Sequence, residues 1–172
     1  MLRPLHGVIT RAARRWPVAL SLGLCLWLAL PAAPVTGQAP RDIAVVVHPD
    51  VPVADLSLAT LRRILLGDRE FWPSGVRVTL LIRAPVSRER DAVVKSVCEM
   101  TEAQFRQHWI AKVFRADTPN GPKIVYSADS ALDLVSRTPG AISFVPASQA
   151  MKGVKVLRID GRAPGQAGYQ LK

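Results

Sequence analysis

The sequence predicts an α/β fold, a mixed or mainly parallel sheet covered by helices, and three observations carry that prediction. Residues 43–47 form an unbroken apolar, largely β-branched run, as expected of a strand buried on both faces. Stretches with apolar residues at helical spacing alternate with further short strand-like runs. Cap and turn residues fall at the joins. Interleaved strands and helices build a sheet with helices packed on it, rather than a bundle or a sandwich.

His48, Pro49, Asp50 and Pro52 end the first strand. Ser57 caps a predicted helix whose stripe is Leu58, Leu61, Ile64 and Leu65, with Gly67 placed to stop it and Arg62 and Arg63 pointing outward. The turn Trp72-Pro73-Ser74-Gly75 leads into a strand over residues 76–82, mostly buried and ending at Arg83. Residues 84–87 carry the chain into a helix over 88–98, with Val93, Val94, Val97 and Cys98 as its apolar face. Thr101 and Gln104 form a capping box that opens a second helix through Phe114, with Phe105, Trp109 and Val113 on one face. After a loop over 115–123 come a short strand at 124–126, a helix over 130–137 capped by Ser127 or Asp129, and strands over 141–145 and 154–159. A glycine-rich stretch closes the chain at Tyr169, Gln170 and Leu171.

The N-terminus reads as a secretory signal peptide over residues 1–37. Arg3, Arg11, Arg14 and Arg15 precede an apolar run from Val18 to Leu30, and no acidic residue occurs before Asp42. That run is shorter than the roughly 20 residues a transmembrane helix needs, so the reading is a cleaved signal rather than an uncleaved anchor, with no stable membrane span in the mature chain. Val35-Thr36-Gly37 places cleavage after Gly37; cleavage after Ala39 would put Pro40 at the scissile position. Leu24 before Cys25, in the middle of the apolar run, argues against a lipidated cysteine.

Residues 38–172 are then one exported, periplasmic domain. Of the chain's 23 basic residues four lie in the signal, so 19 face 13 acidic ones and the working charge is +6, not +10. Those charges are scattered, which in an exported protein argues against a nucleic-acid partner and for a solvated surface or attraction to acidic envelope components. Cys98 is the remaining cysteine, so no internal disulfide is expected and the thiol reads as a core residue. His48 and His108 lack a cluster of ligands at metal spacing, no cofactor is implied, and no Gly-x-Ser-x-Gly elbow points to hydrolysis. Trp72 and Trp109 read as packing residues.

The chemistry concentrates where a buried strand ends at Arg83 and Ser87 and Arg88 open a helix. The first turn of a helix carries unpaired N–H groups and the positive end of the macrodipole. An oxyanion there gains amide hydrogen bonds, a serine hydroxyl and guanidinium forks. The same residues also describe an ordinary capped helix, in which Glu89 and Asp91 satisfy the dipole without a ligand.

Residues 51–67, ending in Ile64-Leu65-Leu66-Gly67 and followed by Phe71-Trp72-Pro73-Ser74-Gly75, resemble a motif of the phosphate-binding proteins of ABC transporters. Thr138-Pro139-Gly140-Ala141-Ile142-Ser143-Phe144-Val145 is similar to that family's Pro-Gly-Ala-Ile-Gly-Tyr-Val motif, and residues 83–90 fall where the family places an arginine and a Ser-Gly-Thr turn on its ligand. The resemblance covers about residues 43–160. It implies a periplasmic binding protein-like (type II) lobe, a phosphate-like oxyanion bound weakly at Arg83, Ser87 and Arg88, no catalysis, and an ABC permease as partner. Family members have two closing lobes in chains about twice as long. Here the Gly-Thr of the binding turn is missing, and Ser143 and Phe144 replace Gly-Tyr. A second reading keeps the fold as a non-catalytic module that docks on an envelope sensor or transporter, with the anion site vestigial. Convergence of Arg83, Ser87 and Arg88 separates the two.

Overall fold

The structure is a computed structural model, and it describes residues 41–118, 121–150 and 153–172. The signal peptide reading and its cleavage site lie outside these residues.

Among the described residues a five-stranded mixed sheet carries the fold, in the order β4-β3-β5-β1-β6. Its strands are β1 (Ile43–Val47), β3 (Thr79–Arg83), β4 (Lys123–Val125), β5 (Ala141–Pro146) and β6 (Lys155–Val156). β3 runs parallel to both β4 and β5, whereas β1 runs antiparallel to β5 and β6. A separate parallel pair joins β2 (Asp55–Leu56) to β7 (Arg158–Ile159).

Both faces of the sheet are covered, and strand alternation sorts the residues. Val45, Val47, Leu80, Ile82, Ile142 and Phe144 face a core closed by helices α1 (Leu58–Leu65), α2 (Arg88–Ser96) and α3 (Glu102–Phe114). Ala44, Val46, Leu81, Ala141 and Val145 face α4 (Ala128–Arg137). Leu61, Ile64 and Leu65 of α1 are buried at the spacing the sequence showed, each contributing roughly 1.5–3 kcal/mol of burial. Ser57 caps α1, and the capping box of Thr101 and Gln104 opens α3.

Several element boundaries depart from the sequence reading. The strand expected over 76–82 begins only at Thr79, because residues 70–78 fold back on themselves: Phe71 bridges Arg77, and the Trp72 N–H donates to the Val76 carbonyl at 2.8 Å. α4 begins at Ala128, with Ser127 rather than Asp129 as its cap. The strand expected over 154–159 divides into β6 and β7, since Leu157 N–H turns to the Val45 carbonyl and the chain then crosses to β2. On α3 Val113 is exposed and Lys112 is buried instead, because the Lys112 ammonium reaches the Leu66 carbonyl at 3.0 Å and the Asp68 carboxylate. The glycine-rich tail gave no sign of its packing role: the Tyr169 hydroxyl donates to the Ile43 carbonyl at 2.8 Å, and Leu171 is buried beside β1.

Cys98 has no exposed surface, and burial pushes its thiol up to about 12 from the ordinary 9.0, against the lowering effect of Arg62. A folded-state value above the unfolded one keeps the proton on in the folded chain, so this contribution to stability is complete below pH 9 and is lost as pH rises toward 12. At pH 8 the native thiol is expected to be inert to an aromatic disulfide reagent and to react once urea unfolds the chain. Prompt reaction of the native protein at Cys98 would show that the core there is open.

Candidate functional site

Because β3 and β4 are parallel neighbours, the helices that follow them open at the same edge of the sheet: α2 after Arg83 and α4 after Val125. β1 starts at this edge too, its Ile43 opposite Pro146 of β5, and the Ala147 N–H donates to the Asp42 carbonyl at 2.8 Å. In open α/β sheets ligands bind outside the carboxyl ends of the strands, where successive helix N-termini converge. This edge therefore gathers residues 41–42, 83–90 and 126–128.

The turn between β3 and α2 is tight. The Ala84 N–H donates to the Val125 carbonyl at 2.9 Å, the Ser87 N–H to the Ala84 carbonyl at 3.3 Å, and Val86 stands fully exposed with φ +67°. Ser87 is the N-cap: its Oγ accepts the Arg90 N–H at 3.3 Å. That bond uses one lone pair of the hydroxyl and leaves its proton available to donate. The N–H groups of Arg88 and Glu89, in the first turn, have no intrahelical partner.

The three predicted residues do not share one arrangement. Arg83 is half-buried at the strand end, and its Nε is enclosed with no hydrogen-bond partner among the described residues. Arg88 is exposed and its guanidinium turns to the Arg41 carbonyl. So Ser87 and the α2 N–H groups lie together at the turn that follows Arg83, while Arg88 is engaged elsewhere on the same edge. Glu89 is buried in the first turn and Asp91 pairs with Lys95 at 2.9 Å, so two carboxylates already answer the positive end of the helix.

Arg90 was not singled out by the sequence, yet it organises this turn. Its Nε and Nη2 form a fork on Glu102 at 2.8 and 2.7 Å, its Nη1 donates to the Arg83 carbonyl at 3.0 Å, and its guanidinium lies 5.6 Å from the centre of the Phe105 ring. One buried side chain thus ties the end of β3 to α2 and α3. A signal existed in the helical reading, since Arg90 stands beside Val93 and Val94 on the inward face of α2.

Trp72 and Trp109 serve packing, with indole N–H groups donating to the carbonyls of Gly140 at 2.9 Å and Leu65 at 3.2 Å. His48 Nδ1 accepts the Asp50 N–H at 3.2 Å, and His108 Nε2 donates to the Leu66 carbonyl at 2.9 Å. Among the described residues no three His, Cys, Asp or Glu side chains gather as a metal set, and no helix is long and apolar enough to cross a membrane.

The α/β fold, a mixed sheet covered by helices, matches part of solved structures of the periplasmic binding protein-like type. A protein assigned as a phosphate ABC transporter substrate-binding protein from Clostridium perfringens, with phosphate bound, aligns at 21% identity and a TM-score of 0.56, over 72% of this chain and 46% of its own. An ABC-type phosphate transport receptor from Vibrio cholerae gives 19% and 0.59, over 72% and 48%. PstS from Borrelia burgdorferi gives 15% and 0.58, over 72% and 49%. This chain spans about half the length of each of these proteins. No protein-family model matches the sequence, and no curated protein matches it.

Proposed function

We propose that this chain is an exported, non-catalytic solute-binding domain that recognises a phosphate-like oxyanion at the carboxyl edge of β3. The observation that carries the reading is the enclosed, unpartnered Nε of Arg83, at the strand end that leads into the capped N-terminus of α2. The Arg88 and Glu89 N–H groups and the Ser87 hydroxyl hold oxygens in this reading, and Arg83 neutralises charge. Arg88 joins only if it releases the Arg41 carbonyl. Residues 1–37 direct export and are removed, which places the domain in the periplasm. In this reading the partner is an ABC permease, or a chain that closes over the bound anion. An anion held at this turn by the described residues alone stays in contact with water, where charge pairs are weak and screened, so affinity in the millimolar range is expected.

Calorimetric titration with phosphate and with sulfate at low salt tests this. Saturable heat is expected, with affinity falling about tenfold in Arg83→Ala, the equivalent of about 1.4 kcal/mol. Absence of heat from a folded sample would remove the binding reading. The diversion of Arg88 to Arg41 favours the second reading, a docking module with a vestigial site, and that reading predicts the negative result.

A further inference from the structure

We infer that the open edge of β4, with the apolar groove beside it, is a docking surface for an extended acidic segment of a partner protein that adds to the sheet as a sixth strand. This inference does not depend on the anion site, which lies at the carboxyl edge of the sheet.

Among the described residues β4 is the outermost strand on its side. The Val125 carbonyl is taken by Ala84 of the turn after β3, so by strand alternation the N–H and carbonyl of Ile124 point away from the sheet. Val125 packs beneath α4, which sends the Ile124 side chain to the opposite face, where α3 runs. There Ile124 lines a hollow of about 140 Å³ with Phe105, Arg106, Trp109 and Ile110. The hollow continues over Val113 and Phe114. Phe114 is 90% exposed, Tyr126, just past β4, 81%, Ile110 54% and Ile124 49%, a concentration of bare apolar side chains along one strand, its exit and one helix.

Charge decides the occupant. Arg90, Lys112 and Arg115 are consumed by Glu102, Asp68 and Asp117. Arg106 in the groove and Lys123 on the edge strand have no ion pair among the described residues, and both are exposed. A second copy of this chain would bring the same cations against each other. An incoming strand that turns its apolar side chains to the groove and its carboxylates to the opposite face, which Lys123 shares with Val125, answers Lys123 directly while Arg106 attracts its net charge, and an edge lysine deters other strands. Strand addition supplies main-chain hydrogen bonds for affinity, while the groove reads alternate side chains for specificity.

The test uses the purified protein in the form the expressing cell makes, and two short labelled peptides, one alternating valine with aspartate and one alternating valine with lysine. Fluorescence anisotropy should show the aspartate peptide binding about tenfold or more tightly than the lysine peptide. Arg106→Ala with Lys123→Ala, a surface pair expected to leave the urea midpoint unchanged, should abolish that preference. Ile124→Pro, which removes the outward N–H, should weaken binding about tenfold. Equal binding of both peptides, or none, overturns the inference. So does a sedimenting dimer that Phe114→Asp dissolves, which would assign the surface to a second copy. Binding to anionic lipid vesicles without peptide binding overturns it as well.

Discussion

Arg90→Ala is expected to destabilise the protein by about 3 kcal/mol or more, the cost typical of removing one partner from a buried ion pair. The Arg90 side chain is 7% exposed, and Glu102, at 35%, keeps limited access to water. The substitution leaves the Glu102 carboxylate without its fork and the Arg83 carbonyl without its donor, and it opens space against Phe105. Each loss acts in the same direction, because the unsatisfied groups remain behind. Arg90→Lys keeps the charge but not the bidentate geometry and is expected to fall between the two. Removing both partners, in Arg90→Ala with Glu102→Ala, should recover part of the loss, since the orphaned carboxylate is then gone. Urea unfolding of the unsubstituted protein and these three variants measures each effect. A loss below about 1 kcal/mol for Arg90→Ala would mean the pair is solvated and does not fix the end of β3.

Gly140→Ala is expected to be at least as damaging, about 3–4 kcal/mol, or to prevent folding, because two independent penalties coincide. Gly140 has φ +74°, and a Cβ there would fall on the Arg77 carbonyl oxygen and 2.8 Å from Val76 Cγ1. Its own carbonyl is fixed by the Trp72 indole at 2.9 Å and the Thr79 N–H at 3.0 Å, so the loop cannot shift without breaking both. Gly75→Ala is the control: φ is +79° there but nothing lies within 4 Å, so only the conformational cost of about 1 kcal/mol applies. Thermal and urea unfolding of the two variants should differ clearly. Similar, small losses in both would show that the Arg77 segment yields easily.

The same glycine shows what the sequence could reveal. Pro139-Gly140-Ala141 stood out as a motif, and the structure supplies its reason: the chain must turn through a positive φ against the backbone that leads into β3. Ser57, Ser87 and Thr101 were legible as caps because capping is local chemistry. The Arg90–Glu102 fork was not legible, since an arginine and a glutamate in the first turns of two helices look like solvated residues until the helices are packed. The late start of β3 depends on pairing between Phe71 and Arg77, which alternation alone cannot distinguish from a longer strand. Lys112 displaced Val113 from the interior because Asp68 and the Leu66 carbonyl await it, partners distant in sequence. For the candidate site, the turn and its cap were readable. The turning of Arg88 to Arg41 was not, because it depends on where β1 starts relative to α2.

The central claim, that an oxyanion binds at the turn between β3 and α2, is tested most directly by following ¹⁵N-labelled protein during a phosphate titration. The backbone amides of Arg88, Glu89 and Arg90 and the side-chain Nε–H of Arg83 should move together and report one dissociation constant, about millimolar at low salt. Signals that stay still at that turn, or that shift only at scattered surface lysines and arginines, would contradict the claim and leave the fold without its anion.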